Sequence, residues 1–266
     1  MSFTFAGSMT GGAPVTRRFQ VGETCYTGCL VMTSHATANC PGYCWLLDIA
    51  AEANEDEHGV LGIVTGVYTM NDAGYSTTYH GDTATADTTK AAFVANDPVG
   101  ATEIELTCIV PYDTLIRGPL YNATYGTAIT ELVVTTANSA GTTVTHAGYT
   151  GIDYADDYGV AYCRSGANRG HYRTMITPGT AAQIVHVPFP YAIAVDDVFV
   201  SAGGVPGITW LQTDGDGNFI DASDTLSVGF DVWLHTQNLE EAGREFYVFA
   251  FLASACGMPA YLEAAS

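Results

Sequence analysis

Apolar residues along this chain come in short runs, each closed off by Gly, Pro, Asp, Asn or Ser. The clearest are GCLVMTS (28–34), YCWLLDI (43–49), VLGIVTGVYT (60–69), IELTCIVP (104–111), ELVVTT (131–136) and AQIVHVPF (182–189). DVFVS (197–201), GITWLQT (207–213), LSVGFDVWLHT (226–236) and EFYVFAFL (245–252) complete the series. Val, Thr, Tyr and Phe dominate them, side chains that fit a pleated, half-buried surface. Many short strands at such spacing predict barrels or sandwiches. The expected fold class is therefore all-β: small β-barrel or sandwich units with short helical turns, at 50–57 and 88–95, and long loops.

The polar stretches set the expected boundaries. Residues 1–14 (MSFTFAGSMTGGAP) read as an extended N-terminal arm. Residues 71–87, rich in Thr, Gly and Asp, and 137–157 read as long loops. The expected division is an arm at 1–14, a β-barrel-like domain at 15–100, and a second β domain with C-terminal hairpins at 101–266. The length of 266 residues fits this, at about 150 residues per domain. No convincing internal repeat appears.

Charge narrows the functions open to the chain. Eight Lys and Arg stand against 28 Asp and Glu, a net of −20. The acidity comes from missing basic residues rather than abundant acids, and Lys90 is the lone lysine. A nucleic-acid partner needs a basic stripe to neutralise phosphates, so none is expected. An anionic membrane is disfavoured for the same reason. The first residues lack the basic start and long apolar run of an export signal. No apolar stretch is long enough to span a bilayer. The expectation is a protein made in a cytoplasm.

Three constellations offer chemistry. Cys25, Cys29, Cys40 and Cys44 form two C-x3-C pairs within a total of seven cysteines. Four thiolates can hold zinc tetrahedrally, but the usual knuckle spacing is tighter. Residues four apart on a strand also share a face, so buried thiols, disulfides and a metal site all remain open. Asp214, Asp216 and Asn218 alternate in TDGDGNFID, a spacing that can wrap oxygen ligands around calcium. Phe219 stands where the EF-hand loop has its glycine, so the same residues also read as a hairpin turn. No cofactor is expected, calcium at Asp214, Asp216 and Asn218 being the alternative. Five of the eight basic residues fall in two patches, Arg17–Arg18 and Arg164, Arg169 and Arg173. In so acidic a chain they point to contacts with carboxylates, either the chain's own or a neighbour's. No catalytic elbow, phosphate loop or zinc-protease motif is present. The neighbouring acids, such as Asp156–Asp157, sit in turn-like contexts that favour solvated faces over catalytic pairs. An enzyme is therefore not expected.

Two segments carry a resemblance. Residues 19–69 run V-G-E, x-G-x-L-V, an apolar strand, an Ala/Asn/Glu linker and V-L-G-I-V-T. This is similar to the small β-barrel decoration proteins on phage heads. Residues 160–201 likewise resemble stretches of structural proteins from aquatic phages. The resemblance implies a virion structural protein that decorates and stabilises the outside of a phage capsid. It further implies the major capsid protein as partner and a homo-oligomer, with a trimer favoured. The arginine patches would then be the contact points. Alternative readings are a carbohydrate- or calcium-binding surface module, and a tail, neck or filament subunit.

Overall fold

A computed structural model describes residues 3–21, 25–33, 43–46, 59–70, 76–79, 83–84, 102–121, 131–147, 159–177, 181–202, 207–213, 220–221 and 230–256. It is all-β: the described residues form strands, and their only helical element is a 3-10 turn at Ser254–Cys256. The helical turns expected at 50–57 and 88–95 lie outside the described residues. Among the described residues no helix is long and apolar enough to cross a membrane.

Strand pairing closes into three rings. The first contains β2 (Thr16–Val21), β4 (Leu30–Thr33), β5 (Tyr43–Leu46), β6 (Gly59–Met70) and β9 (Thr102–Cys108). Their order is β4-β5-β2-β9-β6, and β6 returns to β4. The twelve-residue β6 makes this possible. Its first half pairs with β4, and its later residues pair with β7 (Ser76–Tyr79), while β9 runs along its other side. Gly62 lets β6 and β9 approach, since a Cβ there would lie 2.6 Å from the Thr107 carbonyl oxygen. A short pair, β3 (Cys25–Tyr26) with β8 (Thr83–Ala84), accompanies this ring.

The second ring is a closed six-stranded barrel. It comprises β11 (Glu131–Thr136), β12 (Thr143–His146), β13 (Val160–Cys163), β14 (Tyr172–Thr177), β15 (Ala182–Val185) and β16 (Val198–Ala202). Alternate residues fill its interior: Leu132 and Val134 on β11, Val144 and His146 on β12, Gln183 and Val185 on β15. Strand β12 falls inside the stretch 137–157 that the sequence suggests is a loop.

The third ring encloses the second in sequence. It uses β10 (Thr114–Tyr121) from before the barrel, and β17 (Gly207–Thr213), β18 (Ile220–Asp221), β19 (Phe230–Asn238) and β20 (Phe246–Phe251) from after it. Their order is β10-β18-β17-β19-β20, and β10 also pairs with β20. The six-stranded barrel is thus an insertion between β10 and β17. Its own first and last strands, β11 and β16, are hydrogen-bonded neighbours, with Glu131 opposite Val200.

The N-terminal segment contributes β1 (Thr4–Ser8), paired antiparallel with β10. Phe3 is buried and meets Phe249 edge-on at 6.5 Å between ring centroids. Asp113 ties down the end of β1: the Ser8 hydroxyl donates to Oδ1 at 2.8 Å and the Thr10 amide donates to Oδ1 at 2.9 Å. One apolar core joins all three rings, from Leu30 and Ile63 through Val160 and Val200 to Val232 and Phe249. A smaller core of Cys29, Val31, Cys44, Val64, Ile104 and Leu106 fills the first ring.

Candidate functional site

The arginine cluster sits on the connection between β13 and β14. This turn is built to fix its side chains. Gly166 has φ of +78°, and a Cβ on it would lie 1.9 Å from Asp197 Oδ1. Only glycine meets both conditions. The Arg164 amide donates to the Val198 carbonyl at 2.7 Å, and the Val198 amide donates to the Ser165 hydroxyl at 2.8 Å. Asn168 is fully buried. Its Nδ2 donates to the Tyr191 carbonyl at 3.0 Å, and its Oδ1 accepts from the Tyr191 amide at 3.1 Å.

Held this way, Arg164 reaches out of the inserted barrel into the third ring. Its Nε donates to the Leu239 carbonyl at 2.7 Å, on the connection between β19 and β20. One terminal nitrogen donates to Glu131 Oε1 at 3.0 Å, and the other to Glu245 Oε1. The Arg164 and Glu245 side chains are only 5% and 1% exposed. Glu245 Oε2 is buried and has no hydrogen-bond partner. Arg169, on the same turn, pairs with Glu240 at 3.0 Å, but these side chains are 65% and 54% exposed. Arg173 lies on the outer wall, where its Nε donates to the Pro188 carbonyl at 3.0 Å and its guanidinium faces the Phe189 ring.

The other arginine pair stands on β2. Arg17 donates to the Thr16 carbonyl at 2.8 Å, and Arg18 lies 3.9 Å from Glu105 directly across the β2–β9 ladder. Arg117 stacks on Phe246 at 3.8 Å, and Arg244 pairs with Glu241 at 3.3 Å. Each of the seven arginines in the sequence thus has an intrachain contact.

Of the sulfur candidates, Cys29 and Cys44 are buried in the same small core. Cys25 lies on β3, and Cys40 falls outside the described residues. Burial pushes the Cys163 thiol up to about 11, against a lowering by its contact with Ser165. Burial alone pushes Cys256 up to about 12. Both stay as thiols near neutrality, which makes them poor nucleophiles. Asp214, Asp216 and Asn218 lie outside the described residues. Among the described residues, no three His, Cys, Asp or Glu side chains gather as a metal site would require.

The sequence points to the arginine cluster but not to its partners. Glu131 and Glu245 each stand just before an apolar run, where a carboxylate reads as a solvated strand end. Glu245 is 81 positions from Arg164, so no local spacing connects them. The arrangement fastens the inserted barrel to the ring that flanks it. Comparison with protein-family models, curated proteins and solved structures finds no match for the chain.

Proposed function

We propose that this chain is a structural protein of a virion, decorating and stabilising the outside of a phage capsid. The observation that carries the reading is the fastening of the inserted barrel to the ring that flanks it in sequence. Arg164 bolts the inserted barrel to the ring that contains Glu245, so load applied to one ring passes to the next. The arginine contacts lie within the chain, and the net charge of −20 favours a soluble, self-repelling exterior suited to display in many copies. The outer surface of the inserted barrel presents Tyr172, Ile176, Ile184 and Val187 to solvent. Strands β14 and β15 carry no acidic residue, and a face without carboxylates suits contact with an acidic neighbour. The test is cosedimentation of the purified chain with empty shells of its virus. Saturable binding that raises the heat stability of the shells is expected. A chain that stays in the supernatant at every concentration refutes the proposal.

A second reading has its own observation. Asp231, Trp233 and His235 are exposed along one face of β19, about 7 Å apart at each step, with Trp233 41% exposed and Ile208 opposite it at 70%. An aromatic plane flanked by a carboxylate and an imidazole suits a sugar ring, whose C–H face stacks while its hydroxyls hydrogen-bond. This is the carbohydrate-binding surface module. Glycan-array binding that Trp233→Ala abolishes supports it, and no binding to any glycan removes it.

A further inference from the structure

The interior of the inserted barrel holds polar side chains that its walls do not satisfy. His146 and Gln183 are each 3% exposed, on the neighbouring strands β12 and β15. Their strand register makes them diagonal neighbours. Val144 faces Gln183 directly, and the His146 amide donates to the Ala181 carbonyl at 2.9 Å. Diagonal positions on one face stand about 7 Å apart, within reach of long side chains. His146 Nε2 and Gln183 Oε1 are both buried without a hydrogen-bond partner.

The hydrogen-bond pattern fixes the chemistry these atoms need. His146 Nδ1 lies 3.2 Å from the Ala147 carbonyl oxygen. A carbonyl only accepts, so Nδ1 carries the proton, and in the neutral ring Nε2 presents a lone pair. Gln183 Oε1 is also an acceptor. Two acceptors cannot satisfy each other, and each left bare in an apolar interior is costly. Among the described residues neither atom has a donor within reach, and the Ser201 hydroxyl, also buried, donates to the Met175 sulfur at 3.7 Å. The two atoms together call for one small, neutral molecule with two donors.

We infer that the barrel interior binds a single water molecule, which donates one hydrogen to His146 Nε2 and the other to Gln183 Oε1. A metal ion is a poorer fit, because one imidazole nitrogen and one amide oxygen leave most of a coordination shell unfilled. The water makes His146 and Gln183 one unit, although neither contacts the other. It also fixes the ring's Nδ1–H tautomer, so the interior is specified by polarity as well as by shape.

Two measurements on the full chain test this. A crystal structure should show one density peak within hydrogen-bond distance of both Nε2 and Oε1. Direct contact between ring and amide, or no density between them, overturns the inference. A double-variant cycle gives the second reading. His146→Leu or Gln183→Leu alone strands one acceptor, and each should lower the folding equilibrium constant about tenfold. Replacing both removes the need for the water, so the double variant should lose no more than the worse single one. Losses that multiply instead would show two independent sites and overturn the inference.

Discussion

Arg164–Glu245 and Arg169–Glu240 join the same two pieces of chain, yet they differ in almost every physical respect. Both run from the turn after β13 to the neighbourhood of the β19–β20 connection. The inner pair is closed off from water and supported by the Leu239 carbonyl and Glu131. The outer pair is more than half exposed at both ends. An exposed pair gains little because water screens it and two long side chains must be ordered. A buried pair is different: its desolvation is already incurred, so losing one partner leaves a bare charge. Position relative to solvent, rather than the identity of the residues, decides which pair secures the barrel.

Breaking the inner pair should have the largest effect. Arg164→Ala leaves Glu245 buried without its cation, and about 3–5 kcal/mol of stability should be lost. Urea unfolding followed by tryptophan fluorescence measures it; a loss under about 1 kcal/mol would mean that Glu245 escapes to water. The pair Arg164→Met with Glu245→Leu sharpens the point. It should recover most of that loss, because an apolar pair needs no compensation. Next comes Gly166→Ala, at about 1–3 kcal/mol for the left-handed backbone alone. Displacement of Asp197 adds to that, and the loss should appear as a lower thermal midpoint. Arg169→Ala should cost less than about 1 kcal/mol and become undetectable in high salt. An effect equal to that of Arg164→Ala would erase the contrast.

The smallest effect on the whole fold concerns the N-terminal strand, where the fastening is a half-buried carboxylate. The Ser8 hydroxyl, the Thr10 amide and the Thr10 hydroxyl hold the Asp113 carboxyl below the usual range. A lowered pKa means that this attachment is fully present above the ordinary aspartate value of about 3.9. It is lost as pH falls through the lower, folded value. The protection of the Thr10 amide, taken relative to its intrinsic exchange rate at each pH, should therefore fall in acid while β20 stays protected. Asp113→Asn should show the fast exchange already at neutral pH. Equal protection of Thr10 in both proteins would show that the ladder with β10 and Phe3 hold the strand without the Asp113 carboxylate.

Some of this was legible in the sequence and some was not, for identifiable reasons. The run 131–136 coincides with β11, and 60–69 falls within β6, because alternation and β-branched residues mark strands wherever the core is apolar. Strand β10 was hidden: its TLIRGPLY carries Arg117, Gly118 and Pro119, which read as a turn. Strand β12 was hidden because its two inward residues are Val144 and a histidine. Of the arginine cluster, Arg164 and Arg169 meet carboxylates of this chain, while Arg173 meets a carbonyl and a ring. The carboxylate partners could not be read, since they become neighbours only when an inserted barrel meets the ring that flanks it.

The insertion also sets an order of events in folding. Strand β10 must find β17–β20 across the whole of residues 122–206, a distant closure with an entropic cost. Once β11 and β16 pair, the ends of the insert lie side by side. The closure then spans only the short links 122–130 and 203–206, which lowers its cost by about 1–2 kcal/mol. On this ground the inserted barrel is expected to close before its host, with slower closure of β10 on β20 after a stopped-flow refolding jump as the check. In that order Arg164 meets Glu245 last, since the contact needs both halves of the joint to exist.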